Sequence, residues 1–247
     1  MALTDSASAA LRRIGLNVVG VADGAAYQHI LPGCRSVLVY GSGGRALWDA
    51  FVEDLRCHPE HLADEAHPLE AFVRRAIQAA DPLPPPTRRW VRPAADEQVV
   101  VDFRQLAVEA GLGWRSLLGL VLHPDFGPWM GLRAACFTTE LLPRTGPLAG
   151  AGPCLGCPAY CRTACPGGAI GLKGWDVGRC AAFHRESSRC HGTCHSRRAC
   201  PVGAEHAYSA EQLAYHEDPR AGRRHLAARL GIDDHCPDSG VPWTSWT

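Results

Sequence analysis

The stretch "GPCLGCPAYCRTACPGGAI", Gly152 to Ile170, decides the organisation of this chain. It places four cysteines within twelve residues, and a proline follows the last of them. A second cysteine block follows and also ends in Cys-Pro, at Cys200 and Pro201. Short spacings let one loop wrap several thiolates around a single inorganic centre. The predicted metal ligands are eight cysteines: Cys154, Cys157, Cys161, Cys165, Cys180, Cys190, Cys194 and Cys200.

The Cys-Pro ends are typical of bacterial two-cluster ferredoxins, in which the fourth cysteine of a motif binds the other cluster. This pattern predicts one [4Fe–4S] cluster on Cys154, Cys157, Cys161 and Cys200, and a second on Cys165, Cys180, Cys190 and Cys194. The gaps are looser than the usual ferredoxin spacing. Two zinc sites of four cysteines each are the alternative, since zinc uses similar spacings. The Cys-Pro ends favour clusters.

The charge of the chain is balanced overall but uneven locally. Lys+Arg and Asp+Glu both number 25 in 247 residues, so no net charge attracts nucleic acid or a membrane surface. Between Cys154 and Pro201, however, seven basic residues face only Asp176 and Glu186. This basic segment suits anionic clusters and an acidic electron donor, and we expect a small ferredoxin or flavodoxin.

The N-terminal sequence "MALTDSASAALRRIGLNVV" has no apolar core of an export signal. No apolar run approaches the roughly 18 residues that a membrane span needs. We therefore expect a cytoplasmic protein without a membrane partner. Cytosolic thiols stay reduced, so clustered cysteines there bind metal more often than they form disulfides.

Hydrophobic periodicity predicts an α/β protein. Strands are expected over 35–44, 97–103, 116–122 and 130–139, and helices over 6–14, 45–58, 67–80, 103–111, 209–217 and 219–231. Composition changes at "PRTGPLAGAGP", residues 143–153. We expect an N-terminal domain over 1–150, a cysteine module over 151–207, and C-terminal helices with a tail over 208–247.

The segment "LVLHPDFGPWMGLRA", Leu120 to Ala134, brings His123, Phe126, Trp129 and Arg133 close together in sequence. Aromatic groups beside a histidine and an arginine, in a loop shaped by glycine and proline, suit a large, flat, partly polar cofactor. The alternative is a turn between two core strands, in which the aromatic side chains are simply buried.

The segment "AGLGWRSLLGLVLHPDFGPWMGL", followed by the cysteine block, resembles the catalytic core of epoxyqueuosine reductase, a cobalamin-dependent iron–sulfur enzyme. "LHPDFGPWMGLRAACFTTELLP" and "YSAEQLAYHEDPRAGR" also resemble the cobalamin-processing methylmalonic aciduria and homocystinuria type C family. The resemblance implies a nitroreductase-like α/β sandwich that binds cobalamin, beside a ferredoxin-like module. It implies a corrinoid pocket at His123, Phe126, Gly127, Trp129 and Arg133.

One part of the epoxyqueuosine reductase pattern is changed. That family carries a catalytic aspartate in an Asp-x-x-Pro-x-x-Glu-Arg stretch, which aligns here with "EQVVVDFR". Glu97 takes the place of the aspartate and is the candidate proton donor, because burial can raise the pKa of a carboxyl into a useful range. The alternative, which the changed stretch favours, is that Glu97 is a surface residue. Phe103 replaces the glutamate. The changed stretch and the neutral charge argue against a tRNA substrate.

The sequence thus predicts an oxidoreductase that passes electrons through two [4Fe–4S] clusters to the cobalt of cobalamin. It would remove the upper ligand reductively or supply reduced cobalamin, with a cobalamin-dependent enzyme as a further partner. The alternatives are an epoxyqueuosine reductase-like tRNA-base reductase, a zinc-stapled carrier without catalytic activity, and a reductive dehalogenase.

Overall fold

A computed structural model describes residues 5–63, 65–82, 84–93 and 100–233. Its helices are α1 (Asp5–Arg13), α2 (Ala46–Cys57), α3 (Glu60–Ala63), α4 (Pro68–Ala80), α5 (Phe103–Glu109), α6 (Tyr160–Ala164), α7 (Val177–Glu186), α8 (His195–Arg198), α9 (Ala210–Glu217) and α10 (Pro219–Leu230). Its strands are β1 (Val18–Asp23), β2 (Ser36–Gly43), β3 (Arg88–Val91), β4 (Trp114–Arg115), β5 (Val121–Leu122), β6 (Met130–Thr138), β7 (Ile170–Gly171) and β8 (Gly174–Trp175).

The central sheet is antiparallel, with the strand order β1-β2-β6-β3. The middle strands β2 and β6 are covered on both faces, because successive side chains of a strand point to opposite sides. Val37 and Val39 pack into one core, whereas Leu38 and Tyr40 pack into the other. Because both faces of these strands are buried, the sequences of β2 and β6 are nearly continuous hydrophobic runs. The predicted α/β fold class is confirmed.

Helices cover each face of the sheet. On one face, the ring of Phe51 in α2 contacts Phe72 of α4 and Tyr215 of α9, with ring centroids 5.9 Å apart in both pairs. On the other face, α5 buries Leu106 and Ala107. The Asp102 side chain begins α5 by accepting hydrogen bonds from the first free backbone N–H groups of the helix. Among the described residues, no helix is both long and apolar enough to cross a membrane.

Most predicted elements are present, and the differences have local causes. The strand expected over 116–122 is only Val121–Leu122, because Ser116 and Leu120 close a turn in which Gly119 has a φ of +73°. In the strand expected over 97–103, residues 97–99 lie outside the described residues, and α5 already begins at Phe103. The edge strand β3 follows a proline-rich connection and was not predicted.

The cysteine module contains only short elements, namely α6, α7, α8 and the β7–β8 hairpin. Two glycines bring it against the loop that follows β5. A Cβ on Gly127, whose φ is +54°, would meet the carbonyl oxygen of Val202 at 1.9 Å. A Cβ on Gly203, whose φ is +64°, would meet the backbone of Phe126 at 2.3 Å. Only glycine allows this close approach of the two backbones.

His216 in α9 packs among the rings of Trp48, Tyr208 and Tyr215. Its buried Nε2 has no hydrogen-bond partner within the described part of the chain. Burial, followed by the positive charges of Arg133 and Arg197, lowers the pKa of His216 well below its ordinary value. The imidazole is therefore neutral in the folded protein.

Replacing His216 with leucine tests whether the lowered pKa of this histidine makes the stability of the protein depend on pH. Because the folded pKa is lowered, the unfolded chain takes up the proton first, and stability falls as the pH drops below about 6.5. We expect the melting temperature of the wild type to fall more steeply between about pH 7 and about pH 5 than that of His216→Leu. Each unit of pKa difference corresponds to about 1.4 kcal/mol.

The matched control is His29→Leu, which removes an exposed histidine. It should keep the wild-type pH dependence when thermal unfolding is followed under anaerobic conditions. Equal slopes for the wild type and both variants would show that His216 is not held neutral by the fold.

Candidate metal centres and the adjoining cavity

The first thiol set lies around one cavity. Cys154, Cys157, Cys161 and Cys200 line it, together with Leu118, Leu122 and Tyr160. Burial and then the neighbouring Cys154 raise the pKa of Cys161. Burial raises the pKa of Cys200, and Cys154, Cys161 and Cys157 raise it further. The last cysteine of the second sequence block therefore lies with the first three cysteines of the first block.

The second thiol set takes its fourth member from the first block. Burial, followed by the neighbouring Cys165 and Cys180, raises the pKa of Cys190. Burial raises the pKa of Cys194 to about 11, and Cys180 contributes to that shift. Cys165 thus lies with Cys180, Cys190 and Cys194. The structure brings the eight cysteines together in two interleaved sets.

The spacing of the sulfur atoms discriminates between kinds of metal centre. All eight are free thiols. A tetrahedral zinc ion with Zn–S bonds of about 2.3 Å holds its sulfur ligands roughly 3.8 Å apart. Among the described residues, the only three ligand groups within 4.8 Å of one another are His58, Glu60 and His61, so no three of these sulfur atoms are that close. In each set, at least two of the sulfur atoms are therefore more than 4.8 Å apart.

Hydrogen-bond donors surround the thiols of the second set. The Ala169 N–H donates to Cys165 Sγ at 3.2 Å, and the Ser196 hydroxyl also bonds this sulfur. Burial by itself would raise the pKa of Cys165, but these donors outweigh burial and lower it. The Trp175 side chain bonds Cys180. In the first set, the Ala159 N–H donates to Cys157 Sγ at 3.4 Å. Such donors stabilise thiolates and tune cluster potentials.

The predicted corrinoid loop is a tight turn closed by hydrogen bonds between His123 and Gly127. Nδ1 of His123 accepts from the N–H groups of Asp125 and Phe126 at 3.1 and 3.3 Å. Burial is the main cause that lowers the pKa of His123. An Nδ1 that accepts both of these bonds leaves the ring proton on Nε2. A histidine that binds a metal through Nε2 normally donates from Nδ1 instead. The Nδ1 contacts of His123 therefore differ from those of a histidine that ligates a metal through Nε2.

The other predicted pocket residues are dispersed. Phe126 packs on His123 and on His206, with ring centroids 5.1 and 4.7 Å away. Trp129 is only 1% exposed and belongs to a small core with Tyr208 and Leu213. The structure places Trp129 in the core, which is the alternative that the sequence left open.

Arg133 lies apart from the loop. Its Nε donates to Ser42 Oγ at 3.0 Å, and its guanidinium lies 3.7 Å from Glu70. Arg133 thus binds groups of β2 and α4. Glu97, the candidate proton donor, lies outside the described residues.

A larger cavity of about 480 Å³ adjoins the first thiol set. Residues Ser116, Leu117 and Cys154 line both spaces. The β4–β5 hairpin contributes one wall and the β7–β8 hairpin another. Three cations line this cavity: Arg104, Arg115 and Lys173. Most of the remaining lining is apolar: Leu120, Val121, Leu172, Trp175 and Val177.

Sequence reasoning missed most of this cavity. Its walls come from residues 104–121 and 172–177, which are distant in sequence. The only local signal was "AGLGWRSLLG", residues 110–119, within the segment that resembles epoxyqueuosine reductase. The cavity therefore lies along the residues before His123 and next to Cys154.

No protein-family model matches the chain, and no curated protein matches it significantly in sequence. The structure is similar to epoxyqueuosine reductase from Streptococcus thermophilus, with a TM-score of 0.50 and 12% identity, over 80% of this chain and 65% of that one. It is also similar to the catabolic reductive dehalogenase NpRdhA, with a TM-score of 0.50 and 16% identity, over 94% of this chain and 37% of that one.

The C. elegans B12-trafficking protein CblC aligns with a TM-score of 0.49 and 11% identity, over 92% of this chain and 97% of that one. Epoxyqueuosine reductase, which the sequence motifs resemble, is thus among the structural neighbours. The chain spans less than two thirds of the Streptococcus reductase and of the dehalogenase. At these identities the similarity establishes a shared fold.

Alanine variants of the two crossing cysteines test the interleaved sets. We expect Cys165→Ala and Cys200→Ala each to lose about four of about eight irons. The electron paramagnetic resonance spectrum of reduced Cys165→Ala should match that of Cys190→Ala, and the spectrum of Cys200→Ala should match that of Cys157→Ala. Cys57→Ala, outside both sets, should keep all its iron. If the spectrum of Cys165→Ala instead matched that of Cys157→Ala, and the spectrum of Cys200→Ala matched that of Cys190→Ala, each sequence block would hold its own cluster.

Proposed function

We propose that this chain is an iron–sulfur oxidoreductase that binds a corrinoid and directs electrons from two [4Fe–4S] clusters to cobalt. The observation that carries the proposal is the position of Cys154, which lines both the first thiol cavity and the 480 Å³ cavity. A group held by Cys154 therefore adjoins whatever occupies the larger space. When bound, the clusters and cobalt supply one-electron chemistry, for removal of an upper ligand or supply of reduced cobalamin.

The residues around the thiols fit the proposed clusters. Eight reduced thiols in two wide sets supply four ligands to each cluster. Backbone N–H groups and the side chains of Ser196 and Trp175 donate to the sulfurs and offset their negative charge. These residues hold the thiolates in place and tune the electron affinity of whatever they bind.

The larger cavity fits a corrinoid by its chemistry. Leu120, Val121 and Leu172 offer apolar surface to a flat macrocycle. Arg104 and Arg115 suit the amide oxygens and the phosphate of a corrinoid, since both are acceptors for guanidinium N–H groups. We propose that the protein binds cobalamin without a histidine ligand to cobalt.

The exposed face of the cysteine module suits an acidic electron donor such as a ferredoxin or flavodoxin. Leu155 and Tyr160 flank the first thiol set and are 79% and 50% exposed. Six exposed cations surround the module: Arg162, Lys173, Arg179, Arg185, Arg189 and Arg198. Complementary charge would speed the encounter with an acidic partner. We place this exchange in the cytoplasm, where the thiols stay reduced, and a cobalamin-dependent enzyme is the proposed recipient.

A tRNA-base reductase is the second candidate. The shared fold with epoxyqueuosine reductase favours it, as do the three cations at the larger cavity, since phosphates bind such side chains. It predicts activity on epoxyqueuosine-containing RNA that is lost in Glu97→Gln. The zinc-stapled carrier is disfavoured by the wide spacing of the sulfur atoms.

A cavity-filling variant tests the corrinoid proposal. We expect anaerobically purified protein to hold about eight irons and to shift the corrin absorption bands when cobalamin is added. Leu120→Trp should weaken cobalamin binding at least about tenfold by filling the cavity, with its iron content unchanged. Leu141→Trp, at a residue that is 62% exposed, is the matched control. Zinc in place of iron, or equal binding by both variants, would overturn the proposal.

A further inference from the structure

A second group of metal-ligating side chains lies at the turn between α2 and α3, in the sequence Cys57-His58-Pro59-Glu60-His61. One ligand atom from each of His58, Glu60 and His61 lies within 4.8 Å of the others. None of the three residues lines the two cavities at the cysteine module. We propose that they form a binding site for a divalent transition ion of the zinc type, independent of the clusters.

Asp54 orients one of these ligands. Its Oδ2 lies 2.8 Å from Nδ1 of His61, and Arg75 of α4 donates to the same oxygen at 3.0 Å. The bond to Nδ1 leaves the lone pair of Nε2 free for an ion. A carboxylate behind a ligating histidine is the usual arrangement in zinc sites, where it fixes the ring and raises its basicity.

The backbone that carries the site is anchored in the core. Leu55 at the end of α2 and Leu62 in α3 are fully buried. Between them, the His61 N–H donates to the His58 carbonyl at 3.0 Å. The two imidazole rings consequently lie with their centroids 4.9 Å apart. An ion would therefore join side chains whose ligand atoms already lie close together.

The ligand chemistry selects the ion. Two imidazoles and one carboxylate suit Zn²⁺ and its neighbours in the first transition row, whereas Ca²⁺ and Mg²⁺ prefer an all-oxygen set. Three protein ligands leave at least one position of a zinc ion for water. The ion would join α2 to α3 and, through Asp54 and Arg75, would reinforce their contact with α4. Binding should therefore raise the thermal stability of the chain.

Equilibrium dialysis of the anaerobic, iron-loaded protein against Zn²⁺ tests the site. We expect the wild type to bind one zinc per chain and its melting temperature to rise. His61→Ala and Glu60→Gln should lose both effects with their iron content unchanged. Asp54→Asn keeps all three ligands and should weaken binding about 10- to 100-fold. Glu60 is exposed, so its replacement by glutamine leaves the core untouched.

Two matched controls separate this site from other ligands. His29→Ala removes an exposed histidine elsewhere, and Cys57→Ser removes the neighbouring exposed thiol. Both should keep the zinc and the increase in melting temperature. Zinc binding that survives His61→Ala would overturn the proposal. Binding that is too weak for one zinc per chain, without a change in melting temperature, would identify an adventitious ion only.

Discussion

The exchange of one cysteine between the two thiol sets is the constraint on which the module depends. Cys165 leaves the block in which it lies to join Cys180, Cys190 and Cys194, and Cys200 returns to the first set. Neither set can close unless residues 154–165 and 180–200 fold against each other. Filling either set therefore orders both segments, because a centre held by ligands distant in sequence links its binding to folding.

A second contact fixes the module to the sheet. The guanidinium of Arg197 lies over the rings of Trp129 and Tyr208, 4.9 and 4.5 Å from their centroids, and donates twice to the Pro128 carbonyl. A cation between two aromatic rings is attracted by both. Together with the close approach at Gly127 and Gly203, this contact holds Cys194 and Cys200 beside the loop after β5.

Features that depend on residues close together in sequence could be predicted from it, whereas features that depend on residues distant in sequence could not. The helices α2 and α4 and the strands β2 and β6 follow from local apolar patterns, and the cysteine sets follow from spacing. The larger cavity does not, because its walls lie about fifty residues apart in sequence. Trp129 has the residue type of a pocket wall, but Tyr208, a distant residue, buries it. The proton position on His123 depends on two backbone N–H groups that no sequence pattern reveals.

The arrangement that results places the first thiol set against an open, partly apolar space that has cations along its wall. This adjacency is the central physical claim, and magnetic resonance measures it directly. Co(II) cobalamin, added to protein that has been reduced and freed of excess reductant, should lose its paramagnetic signal as one electron passes from the cluster of the first set to give Co(I), and Cys157→Ala should keep that signal. A cobalt spectrum identical in cluster-loaded and cluster-free protein would contradict the account.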